Sequence, residues 1–224
     1  MPWYPAAMFS DLERHALVWL TADGWRAAIA AALPEHKPAL TQWQRQNWPV
    51  VVRRLDADTA PGEVCLGLPL PPDDAGVKVR IALRTAAPHI ALASGALDLH
   101  AALPSSGAWH AELSRLCDAA PGLRVFGSLA MQTLTGLPYI SASSDVDVLF
   151  HPASQSQLQE VVMLLAAHAE RLPLDGEIVF PGGAAVSWKE WRMAMTHPAK
   201  VMVKELRSVR LADTTSLLAT LETQ

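Results

Sequence analysis

Two acids separated by one residue, Asp145 and Asp147 in the stretch Ser144-Asp-Val-Asp-Val-Leu-Phe150, are the side chains best suited to chemistry. In an extended segment they leave one face, while Val146 and Val148 leave the other toward a core. Asp is depleted in strands and like charges repel at this distance, so the pair is costly unless a cation or a shared proton neutralises it. Oxygen donors of this kind suit Mg²⁺, which takes one or two carboxylates and completes its shell with water and substrate phosphates. Upstream, Leu123-Arg-Val-Phe126 reads as a strand running into Gly127-Ser128. Gly127 permits a tight turn and a close backbone approach, and Ser128 is expected to cap a helix beginning at Leu129. Amides exposed at a helix N-terminus bind phosphate. Either half alone reads equally as a simple turn or a solvated acid pair. In the order strand, Gly-Ser turn, helix, Asp-x-Asp strand, they read as a seat for a metal-bound nucleoside triphosphate.

The elements around this centre follow from periodicity and punctuation. Beyond Phe150, Ser154 and Gln157 form a capping-box pattern for a helix to about Arg171, with Leu158, Val161, Val162 and Leu165 on its apolar face. Leu174–Phe180 is expected as a strand beside the Asp-x-Asp strand. Its Asp175 and Glu177 share a parity, so either is available as a third carboxylate, and Glu177 is preferred because apolar strand residues flank it. Trp188 to Met195 reads as a short helix, and Lys200–Lys204 alternates as a strand whose Lys204 can reach a phosphate. Before the centre, residues 88–103 are apolar with helical spacing, and Pro104-Ser-Ser-Gly107 is the best linker candidate. Ser106 is expected to cap a helix from about Ala108 to Ala119. A boundary there gives domains 1–104 and 105–224.

The N-terminal part reads as a small α+β module. Ala16–Leu20 is a buried strand, Thr21 or Asp23 caps a helix ending at Pro34, and a second helix runs from about Pro38 to Asn47. Strands follow at Val50–Arg54, Glu63–Leu68 and Lys78–Arg84. The module carries Arg14, His15, Arg53, Arg54, Lys78 and Arg80. Singly, each cation reads as solvated surface, and His15 as structural. Several of them at strand ends in an acidic chain make a candidate phosphate patch, since Arg recognises phosphate through paired hydrogen bonds.

Composition bounds the function classes. The 224 residues are 50% hydrophobic with a net charge of −4, enough for a sizeable core and no support for a general nucleic-acid binder. Cys65 and Cys117 are not in metal-ligand spacing, and Met-Pro-Trp-Tyr-Pro begins the chain without a charged region and apolar run. The most apolar stretch, Ala16 to Leu33, is interrupted by Asp23, Gly24 and Arg26, so no membrane span is expected. A reduced, cytoplasmic protein fits these features. Most of the eight Trp, Trp3 among them, are expected in the core.

Gly-Ser followed by Asp-x-Asp and a later strand acid resembles the nucleotidyltransferase superfamily, which implies an α+β fold with a palm-type mixed sheet in the second domain. The spacing from Ser128 to Asp145 is longer than the compact form of that motif, and the extra length carries Leu134-Thr-Gly-Leu-Pro-Tyr-Ile140. The fuller string Phe126-Gly-Ser-Leu-Ala-Met-Gln-Thr-Leu-Thr-Gly-Leu-Pro-Tyr139 through Ser144-Asp-Val-Asp-Val-Leu149 resembles the phosphoribosyl-dephospho-CoA transferases of malonate decarboxylase. So do Arg14-His-Ala-Leu-Val-Trp19, Pro49-Val-Val-Val-Arg-Arg54, Gly67-Leu-Pro-Leu-Pro-Pro72 and Val203-Lys-Glu-Leu-Arg-Ser-Val-Arg-Leu-Ala-Asp213. The usual aromatic residue near the start of the motif helix is Met131 here.

The resemblance implies transfer of a prosthetic group from triphosphoribosyl-dephospho-CoA to a serine of an apo acyl-carrier subunit, with release of pyrophosphate. It implies Mg²⁺ on Asp145 and Asp147, phosphates on the Gly127 and Ser128 backbone, Glu177 or Asp175 activating the serine, and the N-terminal cations and Lys204 on substrate phosphates. Two other readings stand beside it: nucleotidyl transfer to another acceptor, such as the citrate lyase carrier or a small molecule, and a non-catalytic nucleotide or carrier-protein binding module.

Overall fold

The structure is a computed structural model that describes residues 12–197 and 199–222. Trp3 and the opening Met-Pro-Trp-Tyr-Pro lie outside the described residues. The chain divides into two compact units, residues 1–95 and 96–224.

In the first unit, β1 (Leu17–Leu20) leads into α1 (Ala22–Ala31), followed by α2 (Lys37–Gln46), β2 (Val50–Val52), β3 (Glu63–Pro69), β4 (Arg80–Ala86) and β5 (Ile90–Ser94). Thr21 Oγ1 accepts from the Gly24 amide at 3.0 Å and so starts α1, while Asn47 in the left-handed region ends α2. The strands form an antiparallel sheet in the order β4-β3-β2-β1-β5. Along β4 the alternation is regular, with Ile81, Leu83 and Thr85 buried and Arg80, Ala82 and Arg84 exposed. Trp25 and Trp43 are buried in the core, whereas Trp19 and Trp48 are half-buried.

The second unit contains β6 (Leu97–Asp98), α3 (Leu99–Ala102), α4 (His110–Ala119), β7 (Arg124–Phe126), α5 (Gly127–Thr135), β8 (Val146–Phe150), α6 (Gln155–His168), β9 (Leu174–Phe180), β10 (Ala184–Ser187), α7 (Trp188–Thr196), β11 (Lys200–Lys204), β12 (Val209–Asp213) and α8 (Thr214–Leu218). Its mixed sheet has the order β12-β11-β10-β9-β8-β7-β6, with β8 and β9 parallel and joined through α6. Ser154 starts α6 by accepting from the Gln157 amide, and Gln157 Oε1 returns to the Ala153 amide. Val125, Val146, Val148, Ile178, Phe180, Val186 and Val203 belong to one core with Leu113, Leu129, Val162, Trp188 and Trp191 from the helices. Leu149, Val179, Ala185 and Ala96, with Phe126 against them, form a separate small cluster on the opposite face. Among the described residues no helix contributes to that cluster, and the same face carries the acids.

Three local expectations differ from what is observed. Residues 88–103, expected as one helix, form a short turn, β5, β6 and the four-residue α3. Leu17 to Leu20 pair with β5, and Leu97 and Asp98 pair with β7, so two sheet edges claim residues whose spacing is helical. Pro104 to Gly107 is not an open linker: it forms 3₁₀ turns in the second unit, with buried Ser106 donating to Leu103 O at 2.6 Å rather than capping α4. Contacts divide the chain at Gly95 instead. Finally, β10 and β12 were not read from sequence.

Candidate active site

The site lies where β7 ends and β8 and β9 begin. Phe126 pairs with Asp147, and Asp147 pairs in parallel register with Asp175, so the two carboxylates stand side by side on the face opposite the main core. The chain turns sharply after Phe126 through Gly127 at φ +67°. A Cβ there would lie 2.2 Å from Asp147 Oδ2, so only glycine lets the turn approach this carboxylate. Helix α5 begins at Gly127 with Phe126 as its N-cap residue. Ser128 therefore lies inside the first turn and is not the cap expected of it, because the turn occurs one residue earlier.

Asp145 is exposed and precedes β8 by one residue, whereas Asp147 is half-buried within it. The loop before Asp145 is pinned from α5. Gln132 Oε1 accepts from the Tyr139 and Ile140 amides at 3.1 and 3.0 Å, and its Nε2 donates to Ser105 O at 2.9 Å. Ser144 Oγ accepts from the Ser141 amide at 3.0 Å. Burial raises the Tyr139 phenol above its usual range.

The two further acids differ in setting. Glu177 pairs with Leu149 and Ser187, is 6% exposed, and accepts from Lys204 Nζ at 3.0 Å. Asp175 is half-buried, stands beside Asp147 and faces Lys189 Nζ at 3.6 Å. Lys189 was missed in the sequence because α7 meets β9 only after the chain has turned through β10. Close approach of β8 and β9 rests on Gly176 at φ +135°, where a Cβ would sit 2.0 Å from Val148 O.

All the donors at this corner are carboxylate oxygens, and the cradle between Gly127 and Asp147 exists only without a Cβ. Both features fit Mg²⁺. Among the described residues no three His, Cys, Asp or Glu side chains converge as a cage.

In the first unit the sheet collects most of the expected cations at one end. The His15 amide donates to Val52 O at 2.9 Å with His15 at φ +70°, and Arg14 Nη2 lies 3.2 Å from His15 Nε2. Arg53 follows Val52 directly, and its guanidinium grips both Asp56 oxygens at 2.5 and 2.7 Å. Arg84 binds Asp56 and Asp58. Hydrogen bonds from Arg53 and then Arg84 hold the Asp56 carboxyl well below the usual carboxylate range. Arg54 is exposed. Arg80 lies apart: it pairs with Pro69, and the four positions to Arg84 span about 13 Å of strand.

Two family models together match most of the chain: the phosphoribosyl-dephospho-CoA transferase MdcG N-terminal domain over residues 13–94 and its C-terminal domain over residues 91–215. A phosphoribosyl-dephospho-CoA transferase of Xanthomonas campestris pv. campestris is 40% identical over 211 residues, covering 91% of this chain and 95% of that protein. One from Bradyrhizobium diazoefficiens is 38% identical over 208 residues, covering 89% of each. No solved structure matches.

Proposed function

The chain belongs to the phosphoribosyl-dephospho-CoA transferase family, and from that premise we propose that it moves the phosphoribosyl-dephospho-CoA group from 2'-(5''-triphosphoribosyl)-3'-dephospho-CoA onto a serine of the apo acyl-carrier subunit of malonate decarboxylase. The serine oxygen forms a bond to the α-phosphorus, the α–β phosphoanhydride bond breaks, and pyrophosphate leaves. The observation that carries the reading is Asp147 wedged against Gly127 and in register with Asp175.

Asp145 and Asp147 would hold Mg²⁺, which supplies charge neutralisation on the triphosphate and on the departing pyrophosphate. Backbone amides at the start of α5 would bind the phosphates. A serine hydroxyl is a weak nucleophile at neutral pH, so a base must take its proton. Each of the two further acids has a lysine beside it, Lys189 at Asp175 and Lys204 at Glu177, and Asp175 is better situated for this because it is less buried and stands next to Asp147. The Arg14, His15 and Arg54 end of the first sheet is by itself suited to bind a phosphate group. The reaction belongs in the cytoplasm, in keeping with the free thiols of Cys65 and Cys117.

The test is the intact mass of the purified apo carrier subunit after incubation with this protein, Mg²⁺ and the triphosphate substrate. A gain equal to the phosphoribosyl-dephospho-CoA group is expected, with roughly a 10²-fold or greater loss of rate for Asp147→Asn. No gain on a folded carrier, with transfer to the citrate lyase carrier instead, would overturn the acceptor assignment.

A further inference from the structure

The hairpin at the far edge of the second sheet exposes large apolar side chains in register. Met202 is 44% exposed, Leu211 63% and Val209 44%. Met202 pairs directly with Leu211, and Lys204 with Val209. Lys204 pairs with Ala185, Ala185 with Val179, and Val179 follows Glu177 by two positions, so these side chains share the face that carries Asp147 and Asp175. The strip is thus a continuation of the active face rather than a stray patch. Clustered exposure of this kind on an edge hairpin marks an interaction surface.

Charge selects the occupant. In a chain of net charge −4, residues 200–213 hold Lys200, Lys204, Arg207 and Arg210 against Glu205 and Asp213. Arg210 is paired with Glu205 at 2.9 Å, and Lys204 with Glu177. Lys200 and Arg207 are exposed. Lys200, in register with Asp213 at one end of the hairpin, and Arg207 at the other thus bring positive charge to the two ends of the apolar strip, while Glu190 accepts from the Met202 amide beside it.

We propose that Met202, Val209 and Leu211, with Lys200 and Arg207 at their rim, are the docking strip for the protein acceptor, which presents an apolar patch bordered by carboxylates. The inference rests on the transferase reading, since it takes the carrier subunit as that acceptor. Docking on the active face holds the acceptor serine on the side of the sheet where Asp147 and Asp175 lie. The cations speed encounter, and the apolar centre sets the dwell time.

The experiment pairs direct binding of immobilised apo carrier subunit with steady-state kinetics for Leu211→Asp, Arg207→Glu and the wild type. Both positions are exposed, and circular dichroism checks that each variant is folded. The expected result is at least a 10-fold weaker Kd and a raised KM for the carrier in Leu211→Asp, a smaller, salt-sensitive effect in Arg207→Glu, and an unchanged KM for the triphosphate. A wild type that binds and modifies the carrier while Leu211→Asp does so equally well overturns the docking strip and leaves the transferase reading intact. Self-association of the wild type that Leu211→Asp abolishes, with carrier binding unchanged, assigns the strip to a second copy of this chain and also overturns the proposal. A wild type that neither binds nor modifies the carrier overturns both readings.

Discussion

At the scale of single residues, the site depends on what is missing at Gly127. Its positive φ and the 2.2 Å separation between a notional Cβ and Asp147 Oδ2 make glycine a condition of the carboxylate's position. Gly127→Ala should cost about 1–2 kcal/mol in backbone strain alone and push Asp147 out of place. The expected outcome is a folded protein, by thermal melt, with a larger proportional loss in kcat than in stability, and with half-saturation by Mg²⁺ moved to higher concentration. The same contact explains why Gly127 was legible in the sequence as a close approach, while the capping role expected of Ser128 was not realised. A strand that turns at Gly127 itself leaves Ser128 already helical.

At the scale of elements, the stretch between α5 and β8 is fixed by side chains on α5. Gln132 satisfies two amides and one carbonyl of the chain around it. Replacing it by Met keeps the length and removes all three hydrogen bonds, at a cost on the order of 1–3 kcal/mol. Amide exchange at Tyr139 and Ile140 should accelerate in Gln132→Met while exchange in β9 and β11 stays protected. If those two amides remain as protected as in the wild type, the loop is held by other means. The sequence showed an unusually long spacing before Asp145, but nothing in it marked Gln132 as the anchor, since its partners lie at residues 105, 139 and 140.

At the scale of the whole molecule, acid should unfold the protein. Arg53 and Arg84 hold Asp56 low, Arg84 holds Asp58 low, Arg115 holds Glu112 low, and Ser208 with Arg210 holds Glu205 low. Each of these carboxyls binds its proton at a lower pH when folded than when unfolded. The stability they contribute is present above the ordinary carboxylate range near pH 4 and is lost as pH falls through the folded values. The urea midpoint should therefore drop steadily below about pH 5. Asp56→Asn should flatten part of that slope without changing Mg²⁺ dependence, because Asp56 belongs to the clamp of the first sheet. A slope unchanged in Asp56→Asn would mean that the clamp contributes nothing to pH dependence.

Short-range chemistry was determined by the sequence alone. It contained the alternation that buries Val146 and Val148, the caps at Thr21 and Ser154 and the α+β class, because each depends on neighbours within a few positions. Only the tertiary structure decided which acid stands beside Asp147. Asp175 and Glu177 have the same parity, and their difference appears only when parallel register puts Asp175 next to Asp147 and gives Glu177 to Lys204. It likewise turned residues 88–103 into sheet edges, committed Arg53 to Asp56, and set Arg80 apart from the other cations. In each case local pattern left more than one outcome open, and a partner far along the chain selected one of them.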